Sequence, residues 1–147
     1  MIVSFFGHSV FSESLSLKHR LLDVLEETIL DSPVTFLLGM KGLFDSFAFS
    51  CCLHFKNAHP HVKIACVLAY LNEQITDERF DEYIYPPLET VPPRIAILKR
   101  NAWMVKESDF LITYVDHSFG GAYQAFSHAV KLKKKIINLG KLSPNAL

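Results

Sequence analysis

The sequence predicts an α/β protein, a three-layer αβα sandwich around a mostly parallel sheet of about five strands. Short apolar runs alternate with amphipathic segments of 3.6-residue period, in the order β-α-β-α-β-loop-α-β-α-β. The third apolar run is nearly continuous, as suits a strand covered on both faces. Three runs pass straight into a glycine turn and then a helix: Phe6-Gly7-His8, Gly39-Met40-Lys41-Gly42 and Phe119-Gly120-Gly121-Ala122. In an open parallel sheet such turns gather at the carboxyl edge, where ligands bind. Helices that start there offer unpaired N–H groups and a positive dipole end, which favour a phosphate-bearing ligand.

The first strand is read over Ile2–Phe6. A helix follows over 15–29 with Leu17, Leu21, Val24, Leu25 and Ile29 on its apolar stripe, Ser12 or Ser14 as its cap, and Asp31-Ser32-Pro33 as its stop. The second strand spans 34–38. The next helix spans 43–57 and packs Phe44, Phe47, Ala48, Cys51, Cys52 and Phe55 inward, ending at His59-Pro60. The third strand covers 62–69. Residues 70–93 break the pattern with two Pro-Pro pairs, which favour extended backbone. This stretch reads as a lid or pocket wall, or as a structural excursion or dimer contact. A helix over 94–106, a strand over 110–115, a helix over 122–134 and a strand over 136–139 complete the chain.

The 147 residues suit one domain spanning 1–147, large enough to bury its own core. Half the residues are hydrophobic, which excludes a disordered chain. Lys plus Arg and Asp plus Glu both number 15, so the net charge is zero and a duplex-binding protein is disfavoured. Neutrality is compatible with a homodimer. Cys51, Cys52 and Cys66 are odd in number, lack CxxC spacing and sit among apolar residues, so they read as buried thiols of a cytoplasmic protein. The apolar start lacks a basic leader and reads as a strand, not a signal peptide. No run approaches the ~20 apolar residues of a membrane span. Lys131, Lys133, Lys134 and Lys135 end the last helix, where cations complement its dipole, with a nucleic-acid patch as the competing reading.

The motifs exclude several chemistries. There is no G-x-G-x-x-G after the first strand, no G-x-x-x-x-G-K-[ST], no G-x-S-x-G and no H-E-x-x-H. Gly120-Gly121 is the strongest positive signal, because a Gly-Gly opening a helix leaves amides free to hold an anion. Lys41 either meets a phosphate or points to solvent. Asp45 either stabilises its helix end or contacts a ribose hydroxyl. His117, after Asp116, has the pKa range of an acid or base but no visible partner, and reads as a surface histidine. His54, His59 and His61 read as solvated. No histidine spacing indicates a metal, and no cofactor is implied.

An ordered set of motifs carries a family resemblance. Phe6-Gly7-His8, Phe36-Leu37-Leu38-Gly39, Gly42-Leu43-Phe44-Asp45, Ile84-Tyr85-Pro86-Pro87-Leu88-Glu89, Lys99-Arg100-Asn101-Ala102-Trp103-Met104-Val105 and Gly120-Gly121-Ala122 occur in order along nearly the whole chain. The set resembles the small bacterial and phage proteins of the SLOG superfamily, near a YpsA-like branch of unknown function. The resemblance implies a Rossmann-like fold, kinship with cytokinin-activating phosphoribohydrolases and DNA-processing DprA proteins, and a nucleotide-derived ligand. The implied site comprises Gly7, His8, Ser9, Gly39, Lys41, Gly42, Asp45, Arg100, Asn101, Gly120, Gly121 and Ala122, with Arg100 as a phosphate clamp.

The hydrolase branch carries P-G-G-x-G-T-x-x-E. Here Phe119, Tyr123, Gln124 and Ser127 stand where that pattern has proline, its third glycine, threonine and the catalytic glutamate. Serine cannot replace a carboxylate in acid–base work. The second loop reads Met40-Lys41 where relatives tend to carry glycine. The expectation is a nucleotide-binding module or sensor. The alternatives are an N-glycosidic hydrolase using Asp45, Asp116 or His117, and a nucleic-acid or protein-interaction module with a vestigial pocket.

Overall fold

The computed structural model describes residues 1–73 and 75–146. Among these residues six strands and four α-helices alternate. They are β1 (Ile2–Gly7), α1 (Leu15–Thr28), β2 (Val34–Leu38), α2 (Leu43–Ala58), β3 (Val62–Val67), β4 (Glu82–Ile84), α3 (Ala96–Glu107), β5 (Phe110–Tyr114), α4 (Gly121–Lys131) and β6 (Lys135–Asn138). The sheet order is β4-β3-β2-β1-β5-β6, and each neighbouring pair is parallel. This is the expected three-layer, Rossmann-like sandwich, with one strand more than the five expected.

Side-chain alternation along the strands divides the core. Val3 and Phe5 of β1 point to the layer of α1 and α2, with Phe36, Ile64, Leu21 and Phe55. Phe6 points to the opposite layer, with Leu37, Met104, Val105 and Ala125 of the α3 and α4 side. Ser4 also faces that layer. Its hydroxyl is buried against Ser108 and the Met104 carbonyl, which satisfies a polar group that would otherwise be costly inside. Ser14 caps α1, its Oγ accepting from Leu17 N at 3.1 Å. All three cysteines are buried and free, and burial pushes the Cys51 thiol up to about 11.

The sixth strand corrects the reading of residues 70–93. Glu82–Ile84 pair with Ala65–Val67 of β3, at the sheet edge. Asp81 holds the strand in place. Its backbone N–H donates to Ile64 O, and its carboxylate accepts from Ile64 N at 2.7 Å and from Lys56 Nζ. Phe80 stacks on Phe49 with ring centroids 4.3 Å apart. Glu82 and Tyr83 are exposed, so the strand carries no alternating core pattern that a sequence reading can detect.

The last helix is also shorter than expected. It stops at Lys131, and Lys133 takes the left-handed conformation at φ 57°. Lys133 N and Lys134 N then return to Val130 O and Ala129 O. A lysine replaces the glycine that ordinarily marks such a stop. Lys134 donates to the carbonyls of Lys106 and Ser108, and Lys135 lies over the Phe110 ring. Two of the four clustered lysines are thus engaged in holding α3 and β5.

The edge strand gives a direct test. Asp81→Ala removes the acceptor for Ile64 N and Lys56 together, and should lower unfolding free energy by about 1–2 kcal/mol in urea denaturation. An unchanged midpoint would show that Asp81 does not hold β4.

Candidate functional site

The chain builds β1 to β4 outward in one direction, then returns to set β5 beside β1. This reversal is a topological switch point, where the loops after two neighbouring strands part and leave a crevice. A cleft of about 480 Å³ lies there. The three glycine turns converge on it. Of the residues expected to bind a ligand, Gly7, His8, Ser9, Gly39, Lys41, Asp45, Arg100, Asn101, Gly120, Gly121 and Ala122 line the cleft. Gly42 does not. Phe5, Phe6, Val10, Ile97 and Phe119 complete the wall, with Phe119 69% exposed at the rim. No described residue of 70–93 lines it.

The glycines do different work. A Cβ on Gly7 would overlap the Phe44 ring, and one on Gly39 would fall 2.7 Å from the Arg100 guanidinium carbon. Both positions serve internal packing. Gly42 has φ +110° and presses against Ser9. Gly120 has φ +89°, and neither it nor Gly121 has any neighbour within 4 Å of an added Cβ. These two glycines face open space.

The helix ends differ in the same way, which corrects the expectation that each turn offers free amides. The first amides of α2 are taken, Leu43 N by Ser9 O at 3.0 Å and Phe44 N by His8 O at 3.4 Å. The start of α1 is capped by Ser14. At α4 the amides of Gly121, Ala122 and Tyr123 have no acceptor among the described residues, and Gln124 N is the first to bond, to Gly120 O. Of these three helix starts, α4 alone keeps all of its first three amides without an acceptor among the described residues.

Charged groups form the floor. Arg100 is 2% exposed. Its Nη1 donates to Val67 O at 2.7 Å and to Gly39 O at 3.2 Å, and its Nε donates to Asn101 Oδ1 at 2.8 Å. The guanidinium therefore braces β2, β3 and α3. It cannot extend a free two-pronged fork to a phosphate, and only Nη2 lacks an acceptor among the described residues. Lys41 is partly exposed, and its Nζ pairs with the buried Glu73 carboxylate. Asp45 Oδ2 accepts from Lys41 N at 2.7 Å. Burial raises the Asp45 carboxyl to about 6, against the opposing pull of that amide and of Arg100. Burial acts on Glu73 in the same direction, but Lys41 and the amides of Ala69 and Tyr70 outweigh it and hold Glu73 below its ordinary value.

The rim carries an arrangement that the sequence reading missed. His8, at the end of β1, is 7% exposed. Its ring stacks on His117 with centroids 3.6 Å apart and planes 11° apart, and His117 meets Phe119 at 4.0 Å. His8 Nε2 accepts from Asp116 N at 3.1 Å and lies 3.2 Å from Asp116 Oδ1. His117 Nδ1 lies 2.6 Å from the same oxygen. His117 is therefore a partnered histidine, not a free surface one. Burial and the His117 ring hold His8 below its ordinary pKa, and Asp116 opposes them. His59 and His61 are also engaged, with Glu26 and Leu30 O. Ser127, where the resemblance places a catalytic glutamate, has a buried hydroxyl without a partner among the described residues.

No described helix is long and apolar enough to cross a membrane. Neither protein-family models nor curated proteins match the chain.

Asp45 makes the electrostatics testable. The folded protein holds its proton more tightly than the unfolded chain, whose carboxyl titrates near 3.8. Stability is therefore lost as pH rises from the unfolded value through about 6. Between pH 3 and pH 8 the wild type should lose about 3 kcal/mol relative to Asp45→Asn, read from urea denaturation at each pH. Parallel pH profiles would show that Asp45 ionises in the fold as easily as in water.

Proposed function

We propose that this protein is a binding module or sensor for a nucleotide or nucleotide-derived phosphorylated ligand, held at the carboxyl edge of its sheet. The observation that carries this reading is the open start of α4. Three unpaired amides and two glycines with free space around them form an anion cradle on a cleft of about 480 Å³. That volume falls within the range of small-ligand pockets. The wall supplies apolar and aromatic surface for a base, from Val10, Ile97 and Phe119, and the buried Arg100 adds positive charge beneath. The resemblance to the SLOG superfamily supports the same ligand class. Serine at position 127 favours binding without N-glycosidic cleavage. A cytoplasmic location fits the three unpaired thiols.

A second reading is an N-glycosidic hydrolase. Asp45 favours it, because a carboxyl titrating near 6 at the cleft can donate a proton to a leaving base. Base release from a nucleoside 5′-monophosphate, followed by chromatography and abolished by Asp45→Asn, would establish that reading. The engagement of Lys134 and Lys135 within the fold weakens the nucleic-acid alternative, while Lys131 and Lys133 stay exposed.

Gly121→Asp separates binding from folding. A Cβ there meets no neighbour, and a negative side chain favours a helix start by about 0.3–1 kcal/mol. The variant should melt at or slightly above the wild-type temperature. It should bind nucleoside 5′-monophosphates at least about tenfold more weakly in calorimetry, a loss of ~1.4 kcal/mol. Wild-type protein that shows no thermal shift with any nucleoside mono-, di- or triphosphate would contradict the proposal.

A further inference from the structure

We infer that His8, Asp116 and His117 form a binding site for one divalent transition-metal ion of the zinc class. The three side chains offer one donor atom each, and these atoms lie within 4.8 Å of one another. His8 Nε2 and His117 Nδ1 converge on the same carboxylate oxygen, at 3.2 and 2.6 Å. Zinc binds imidazole nitrogen and carboxylate oxygen at about 2.0–2.2 Å, which places tetrahedral ligand atoms about 3.3 Å apart. The cluster is close to that spacing before any ion binds.

The fold holds the donors rather than leaving them to chance. β1 and β5 are neighbours in the sheet, with Gly7 opposite Tyr114. His8 follows the first strand directly, and Asp116 and His117 follow the second by two and three residues. His8 is buried, while Asp116 and His117 are each 36% exposed, so solvent reaches the donors from one side. Entry of an ion would replace the Asp116 N–H bond to His8 Nε2 and the proton between His117 and the carboxylate. It would also turn the His117 ring off the His8 face.

The donor chemistry sets the class of ion. Two imidazoles and one carboxylate suit zinc, cobalt, nickel or ferrous iron rather than calcium or magnesium, which prefer all-oxygen shells. No thiolate is present to draw in softer ions. Three protein ligands leave at least one position open, and His8 and His117 both line the cleft. The open position would thus face the space where α4 presents its amides. The inference does not rest on the nucleotide reading, since the metal alone is its probe.

The test uses the full, untagged chain freed of metal by chelator. Titration with Co²⁺ should produce visible d–d absorption that saturates at one ion per chain, and Zn²⁺ should abolish it by displacement. His117→Gln and Asp116→Asn should each weaken Zn²⁺ affinity by at least about tenfold in calorimetry. Circular dichroism without metal should remain that of the wild type. His59→Ala, which removes a histidine beside Glu26 on another face, should change nothing. Absence of saturable Co²⁺ or Zn²⁺ binding would overturn the inference. So would binding that survives both rim variants or disappears with His59→Ala.

Discussion

The Arg100 guanidinium lies 2% exposed beneath the cleft, and a cation removed from water requires compensation on every side. Much of the site follows from that requirement. The carbonyls of Gly39 and Val67 point inward to accept from Nη1, which pins the ends of β2 and β3 to α3. Residue 39 must lack a Cβ, because the guanidinium fills that space. Asp45 and Glu73 supply the balancing negative charge, and Lys41 joins them through its amide to Asp45 and its ammonium to Glu73. Residues that look like a ligand-binding loop in the sequence therefore form a charge-balanced floor.

With the floor and the α2 end committed to the fold, capacity for an external anion is concentrated at α4. Leu43 N and Phe44 N close the second turn by bonding back to the first, while Gly120 and Gly121 leave the third turn open. The site is asymmetric as a result: a cradle of amides on one side, a pre-formed charge network below, and the His8–His117–Phe119 stack at the rim. A phosphate placed on the amides would lie near aromatic and apolar surface without displacing any internal hydrogen bond at α4. That arrangement is the basis of the proposed binding role.

The layer order and the convergence of the three turns were legible in the sequence. Buried strands such as Phe36–Leu38 and Ile64–Val67 are apolar throughout, and each turn carries glycine. β4 was not legible, because Glu82 and Tyr83 face solvent and its position depends on Asp81 reaching back to Ile64 N. The burial of Arg100 was hidden as well, since an arginine among Lys99 and Asn101 on an amphipathic helix looks like part of a polar face. His8 and Asp116 are 108 residues apart, and only the parallel pairing of β1 with β5 brings them together. Local spacing carries no trace of such a contact.

The proposed binding rests on the amides opening α4 holding the ligand's phosphate. The most direct measurement is a ¹⁵N–¹H correlation spectrum during titration with adenosine 5′-monophosphate and, separately, with inorganic phosphate. The Gly121, Ala122 and Tyr123 amides should move furthest in both titrations, with His8 and Phe119 following only when the base is present. Unperturbed α4 amides, or the largest shifts at Lys131 to Lys135, would contradict it.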